Sequence, residues 1–467
     1  MKSQSRPSRH SPGRVLFCTQ TAHPYGGVEC WLDQSVGQLE AKGWDCVVAL
    51  VEGHRFHCPD RYRGAHPRFK TVTVPGNPVS GGSRLAALSR TIRQVCPDVV
   101  VPVSLFDPLP AMALLKSQGF PVRLAVCCHS FAPAVLADLC IFRDWLDLMV
   151  GVNQLQLRVL TEMGVKADIC RHIPCTAQHE PTGLERKEKT GPLHLVYVGR
   201  FEQTEKRVLD VLKLCGELEA NNCEYRLSLV GDGSCRAELQ AALAQQIAAG
   251  WVQWVGWCDR LKLAEEVYPR SDVLLLFSPS ETGPIVAWEA MSHGVVPVVS
   301  DFRGRAAEGV IRQGQTGLVF PVGDMRTAAA RIRELDKDRT RLSFLSQRAR
   351  AAVADRADPA RTTAAWLEAL EATLRRPMRT GVLPDVAKHP GGGRLECWGV
   401  PPQWADCLRR WSGRQPEPID PGAEWPHHGP GDPDLEAAIE RALVEHDVEP
   451  AVRASASAIQ ESRLAAS

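Results

Sequence analysis

A chain of 467 residues exceeds one ordinary hydrophobic core and points to two or three domains. Its 55 basic and 54 acidic side chains leave a formal charge of +1, so no global field steers nucleic acid toward it, and nucleic acid is not an expected partner. The 16 cysteines follow neither CxxC nor zinc-type spacing and read as reduced, mostly buried thiols rather than a disulfide framework.

The basic opening, "MKSQSRPSRHSPGR", has no apolar run of the signal-peptide kind, and no segment approaches the ~18 apolar residues of a membrane span. The cytoplasm is the default location. The basic arm reads first as a plain terminus and second as a peripheral contact with anionic headgroups on the inner membrane face.

From Val15 onward, short β-branched runs alternate with amphipathic stretches. "RVLFCTQ", "WDCVVALV", "PDVVVPV", "VRLAVCC" and "LDLMVGVN" read as strands buried on both faces. Helical periods such as "GVECWLDQSVGQLEAKG" and "SGGSRLAALSRTIRQVC" lie between them. This alternation predicts a parallel, doubly wound α/β sheet over residues 1–178. Polar, turn-rich text marks a linker at 179–192. A second series, "LHLVYVGR", "YRLSLVGDG", "WVQWVGW", "DVLLLFSPS", "VVPVVSD" and "TGLVFPV", predicts another Rossmann-like domain over 193–376, and an interdomain cleft is expected at the strands' C-terminal edges. Residues 377–467 form a Pro/Gly-rich extension with two short helices. In one of these, Trp404, Leu408 and Trp411 share a face expected to dock on the body of the protein. The other starts with Asp432 as N-cap and Pro433 in its first turn.

The chemistry concentrates in "SPSETGPIVAWEAMSHGVVPVVSD". A strand ends at a loop carrying Glu281, Gly283-Pro284 opens a helix with Pro284 expected at its first position, and Glu289 follows more than a turn inside. The free N–H groups of Ile285 and Val286, with the helix dipole, make an anion site flanked by two hydrogen-bond-accepting carboxylates. A diphosphate joined to a sugar and a ribose satisfies that arrangement. Arg200, on the loop after "LHLVYVG", and Lys206, at the next helix start, supply cations able to stabilise a diphosphate leaving group without a metal. The D-x-D triplets, at 336–338 and 432–434, lie in a surface helix region and the extension, so neither a catalytic divalent ion nor another cofactor is expected. In the first domain, Gly26 and Gly27 would let backbone approach a ligand, and His129 follows a strand's C-terminal end. The glycines serve an ordinary tight turn equally well. Trp251 and Trp254 read as packing residues, Trp257 as the one tryptophan of that run able to face a ligand, and "GDGS" as either a phosphate loop or a turn formed for backbone reasons.

On "GGVE", "VGRF" with Arg200 and Lys206, "LSLVGDG", "VGW", Glu281-x7-Glu289, "AMSHGVVPVVSD" and "GQTGLVFPVGD", residues 14–376 resemble the family-4 retaining glycosyltransferases of GT-B fold. The resemblance implies that Glu289 binds the donor ribose, Glu281 the sugar hydroxyls, and Arg200 and Lys206 the diphosphate. It further implies that His129 lies near the sugar and that the helix around Trp366 braces the first, acceptor-side domain. A nucleotide-diphosphate sugar would be the donor and a carbohydrate or lipid-linked hydroxyl the acceptor, as in polysaccharide biosynthesis, with anomeric configuration retained. Thr282 stands where relatives commonly carry glycine, which alters the expected sugar pocket. Two alternatives share the predicted fold: a nucleotide-sugar epimerase and a catalytically silent scaffold keeping the nucleotide-sugar cleft. A dehydrogenase is disfavoured because no strand leads into G-x-G-x-x-G.

Overall fold

The computed structural model describes residues 12–19, 27–52, 58–75, 81–177, 191–354, 358–385, 400, 404, 407–408, 411–412 and 425–449. The chain forms two compact units. The first comprises Met1–Val152, Gln156–Ile173 and Thr363–Leu443; the second comprises Asn153–Leu155, Pro174–Thr362 and Val444–Ser467.

The first unit holds seven parallel strands: β1 (Arg14–Thr19), β2 (Asp45–Val51), β3 (Thr71–Val74), β4 (Val99–Val103), β5 (Arg123–Cys128), β6 (Leu148–Gly151) and β7 (Cys170–His172), ordered β3-β2-β1-β4-β5-β6-β7. The interior strands are the β-branched runs expected from sequence; every residue of β4 and β6 is buried. The edge strands β3 and β7 lacked that signature. "TVTV" buries one residue of four and "CRH" none, so neither carries a continuous apolar run.

The second unit repeats the design with β8 (Leu193–Val198), β9 (Tyr225–Val230), β10 (Val252–Gly256), β11 (Val273–Leu276), β12 (Val296–Ser300) and β13 (Leu318–Phe320), all parallel, in the order β10-β9-β8-β11-β12-β13. Alternate residues fill opposite layers. Leu195 and Tyr197 pack into one core, whereas Val196 packs into the other beside Ala287, Trp288 and Met291 of the helix Ile285–Ser292. Burying Trp288 and Met291 contributes roughly 1.5–3 kcal/mol each. The chain reverses direction across the sheet between β8 and β11, which pair through Leu195 and Val273. Loops leaving those two strands therefore emerge side by side, at the position where such sheets bind ligands.

Three expectations need correction. The last long helix, Pro359–Arg375, belongs largely to the first unit, so the second unit ends at Thr362 rather than at residue 376. The physical reason is Trp366, whose ring centroid lies 5.8 Å from that of Trp31. The extension likewise divides, joining the first unit up to Leu443 and the second from Val444. Finally, Trp404, Leu408 and Trp411 are exposed rather than docked, Trp411 at 88 %. The helix expected from Asp432 is present as Pro433–His446, with Asp432 Oδ1 accepting the Leu435 N–H at 3.1 Å. The 179–190 part of the linker and the basic arm up to residue 11 lie outside the described residues. Among the described residues no helix is long and apolar enough to cross a membrane.

Candidate functional site

The loop after β11 is held from behind. Arg303 donates its N–H to the Pro279 carbonyl at 3.0 Å and accepts the Glu281 N–H at 3.2 Å. Asn153 Nδ2 donates to the Thr282 carbonyl at 3.0 Å. Pro284 then takes the N-cap position rather than the first helical one, because its ψ of 81° lies outside the helical range. Helical bonding starts where Ala287 and Trp288 donate to the Pro284 carbonyl, at 2.8 and 3.2 Å. The N–H groups of Ile285 and Val286 thus fall at the open end of the eight-residue helix Ile285–Ser292, as its sequence suggested. Gly283 has no positive φ, and a Cβ there would meet Cys175 at an ordinary 3.6 Å. The helix stops at Gly294, whose φ of +73° suits glycine and where a Cβ would stand 2.7 Å from Ser346 Oγ.

Beside this loop, the segment leaving β8 brings its cations. Lys206 ends the one-turn helix Gln203–Lys206 rather than opening a helix as expected, because the chain turns into the left-handed region at Arg207 (φ 49°), and its Nζ lies 2.6 Å from Glu281 Oε1. The two groups are 75 residues apart in sequence and meet because β8 and β11 are neighbours. Arg200 is exposed and paired with Glu205. Glu202, between these two cations in sequence, instead accepts from Ser234, at 3.1 Å from the N–H and 2.7 Å from the hydroxyl. The "GDGS" turn has a clear backbone reason. Gly231 has φ +138°, a Cβ there would sit 1.9 Å from the Gly199 carbonyl oxygen, and one at Gly233 would sit 2.6 Å from that of Phe201.

Glu289 is 5 % exposed. Tyr268 donates its hydroxyl to Glu289 Oε2 at 3.3 Å, and Arg260 Nε lies 3.1 Å from Oε1. Burial pushes the Glu289 carboxyl above its ordinary pKa, opposed first by the Arg260 guanidinium and then by the Tyr268 hydrogen bond. Sequence reading missed both partners. Arg260 follows an N-cap, Asp259, which accepts the Lys262 N–H at 2.9 Å. That cap was a legible helix start, but nothing local links it to Glu289. Trp257 is 51 % exposed just before it. Trp254 packs its ring 5.1 Å from Phe201, but Trp251 is 45 % exposed and packs only in part, edge-on to Tyr225.

In the first unit, His129 follows β5 as expected. Its half-buried ring lies 4.6 Å from Trp31, edge to face, and burial pushes its pKa down to about 4, so the imidazole is neutral at pH 7. Gly27 begins the helix Gly27–Ala41 and is exposed; Gly26 lies outside the described residues.

Residues 184–352 match the family model "Glycosyl transferases group 1". The chain is 32 % identical over 153 residues to a glycogen synthase of Mycobacterium tuberculosis, covering 33 % of this chain and 36 % of that one. It is 24 % identical over 239 residues to the lipopolysaccharide 1,6-galactosyltransferase of Salmonella typhimurium, covering 50 % and 64 %. The chain thus spans about a third of the length of the first of these relatives. The Anabaena protein Alr3699/HepE, crystallised with UDP and glucose, superposes with a TM-score of 0.60 at 16 % identity over 77 % of this chain and 99 % of that one. Its likeness concerns the fold, two parallel-sheet α/β domains. Residues 184–352 thus carry a segment similar to the group 1 glycosyl transferases, and the two parallel-sheet α/β units share the GT-B fold.

Proposed function

We propose that the protein transfers a sugar from a nucleotide-diphosphate donor to a carbohydrate or lipid-linked hydroxyl, retaining the anomeric configuration and needing no metal. The observation that carries this reading is the group formed by Glu281, Lys206 and the open N-terminus of the helix Ile285–Ser292, with Glu289 further along the same helix. Backbone N–H groups of Ile285 and Val286 would take the diphosphate oxygens. Lys206, released from Glu281, would then neutralise the charge that develops as the glycosidic bond to phosphate breaks, and Arg200 would join it on exchanging Glu205 for phosphate. Glu281 is left to accept from sugar hydroxyls, and Glu289, oriented by Tyr268 and Arg260, from the ribose. In the retaining reaction the departing phosphate oxygen takes the acceptor's proton on the face it leaves, so no further base is required in the second unit. Neutral His129 would serve as a hydrogen-bonding group rather than a charge. UDP-sugars are the first donors to test, since the Anabaena relative was crystallised with UDP and glucose.

The test is a thermal-shift series with UDP-, GDP-, ADP- and TDP-sugars on the wild type and on Glu289→Ala and Lys206→Ala. One nucleotide should raise the melting temperature of the wild type, and the gain should shrink in both variants. Wild-type protein unmoved by every donor at millimolar concentration would refute the reading. Conversion of free nucleotide sugars without transfer would favour the epimerase alternative.

A further inference from the structure

The C-terminal extension reaches the loops behind the candidate site. Asp447 follows the helix Pro433–His446 and accepts two backbone hydrogen bonds, its Oδ2 from Gly304 N–H at 2.7 Å and its Oδ1 from Ala307 N–H at 3.1 Å. Two residues on, Glu449 Oε1 lies 3.6 Å from Nη1 of Arg305, a buried guanidinium that also holds Asp301 Oδ1 at 2.8 Å and donates to the Ile311 carbonyl at 2.9 Å. Gly304 has φ +92°, so its N–H and carbonyl are presented in a conformation that other residues rarely adopt.

The opposite side of this segment touches the donor loop. Asn153, 1 % exposed, donates through one Nδ2 to both the Gly304 carbonyl, at 3.1 Å, and the Thr282 carbonyl, at 3.0 Å. Arg303 adds the two backbone hydrogen bonds to Pro279 and Glu281 already described. Asp447 on one side and Asn153 on the other therefore fix the same glycine, and the chain from 279 to 284 is bonded to what they fix.

We infer that Asp447 is a positioning residue: the extension sets the Glu281–Pro284 loop by clamping Gly304 and Ala307, and Asn153 transmits the constraint. A carboxylate suits the task because it accepts from two N–H groups at once. The extension lies outside residues 184–352, the segment that matches the family model. Its connection to donor binding rests on the proposed function; its connection to the loop does not.

Amide hydrogen exchange on the full chain without ligand tests the loop first. In Asp447→Ala, peptides covering 303–307 should exchange about tenfold faster, and so should the peptide covering 279–284. Asn153→Ala should speed exchange at 279–284 by itself, and adding Asp447→Ala to it should change that peptide no further. Glu449→Gln serves as a milder variant that removes the Arg305 pair but keeps the Asp447 clamp, and it should leave 279–284 at the wild-type rate. Acceleration confined to 303–307 in Asp447→Ala, with 279–284 unchanged, would overturn the inference. Calorimetric titration with UDP is the second readout: Asp447→Ala should weaken binding about 3- to 10-fold and Asp447→Asn by less. Failure of the wild type to bind UDP would count against the donor reading alone, because the exchange comparison still decides whether the clamp holds the loop.

Discussion

Replacing Arg260 by methionine isolates the feature on which the proposed ribose role of Glu289 depends, an ionised carboxylate held inside the second unit. Glu289 is 5 % exposed, and its two side-chain partners here are the Arg260 guanidinium and the Tyr268 hydroxyl. Removing one partner of a fully buried pair costs about 3–5 kcal/mol. Arg260 keeps 20 % of its side-chain surface in solvent and the Tyr268 hydrogen bond survives, so about 2 kcal/mol is expected at pH 8. That corresponds to a fall of about 4–8 °C in melting temperature for a unit of this size. The loss should depend on pH in a defined sense. Burial already raises the Glu289 carboxyl above its ordinary 4.5, and removing the guanidinium raises it further. A folded-state carboxyl with a raised pKa binds its proton more tightly than the unfolded chain does. The penalty is therefore complete above the folded pKa and fades as pH falls through it toward 4.5. Melting curves of the wild type, Arg260→Met, Glu289→Gln and the double variant, at pH 8 and pH 5.5, close the cycle. Equal losses at both pH values, with a coupling below about 0.5 kcal/mol, would show that Arg260 does not hold Glu289 as an anion.

Other outcomes follow from the same geometry. Lys206→Ala should lower sugar transfer about 100-fold while changing stability by less than about 1 kcal/mol, since a partly exposed pair contributes little to folding; comparable loss of both would assign it a structural role. Gly231→Ala, whose Cβ would overlap the Gly199 carbonyl, should destabilise the second unit by about 3 kcal/mol or more, whereas Gly283→Ala, at 3.6 Å from Cys175, should cost under about 1 kcal/mol by denaturant melting. Asp138, buried in the first unit and accepting the Gly429 N–H at 2.7 Å, has its carboxyl pushed up to about 7 by burial. Its charged form thus opposes folding above pH 7, and the cost disappears as pH falls from about 7 toward 3.8, so Asp138→Asn should raise the melting temperature more at pH 8 than at pH 5.

Local pattern found what depends on local pattern. Interior strands announce themselves because parallel sheets are covered on both faces, and β4, "VVVPV", is buried at every residue. The open helix end was legible from Gly283-Pro284 ahead of an apolar run, and Gly294 marked the stop. Lys206 and Glu281 are each legible in the sequence because each follows a strand, and the order of β8 and β11 brings them together. Arg260 and Tyr268 escaped notice because their meeting with Glu289 is a matter of tertiary packing, which no spacing encodes.

The extension shows where composition stops informing. Its tryptophans are chemically identical, yet Trp425 is fully buried with Nε1 donating to the Glu52 carbonyl at 3.0 Å, and Trp411 is 88 % exposed. What separates them is the surface each one meets. Next to Trp425, the Pro426 carbonyl accepts the Phe106 N–H at 2.9 Å, so backbone groups around β2 and β4 supply partners for the incoming segment. Amphipathic spacing tells only that Trp404, Leu408 and Trp411 would share a helix face. Whether a face is covered depends on a complementary one elsewhere in the chain. The same holds for Asp447: an acid after a helix is unremarkable in sequence and acquires its meaning from the two N–H groups it finds at Gly304 and Ala307.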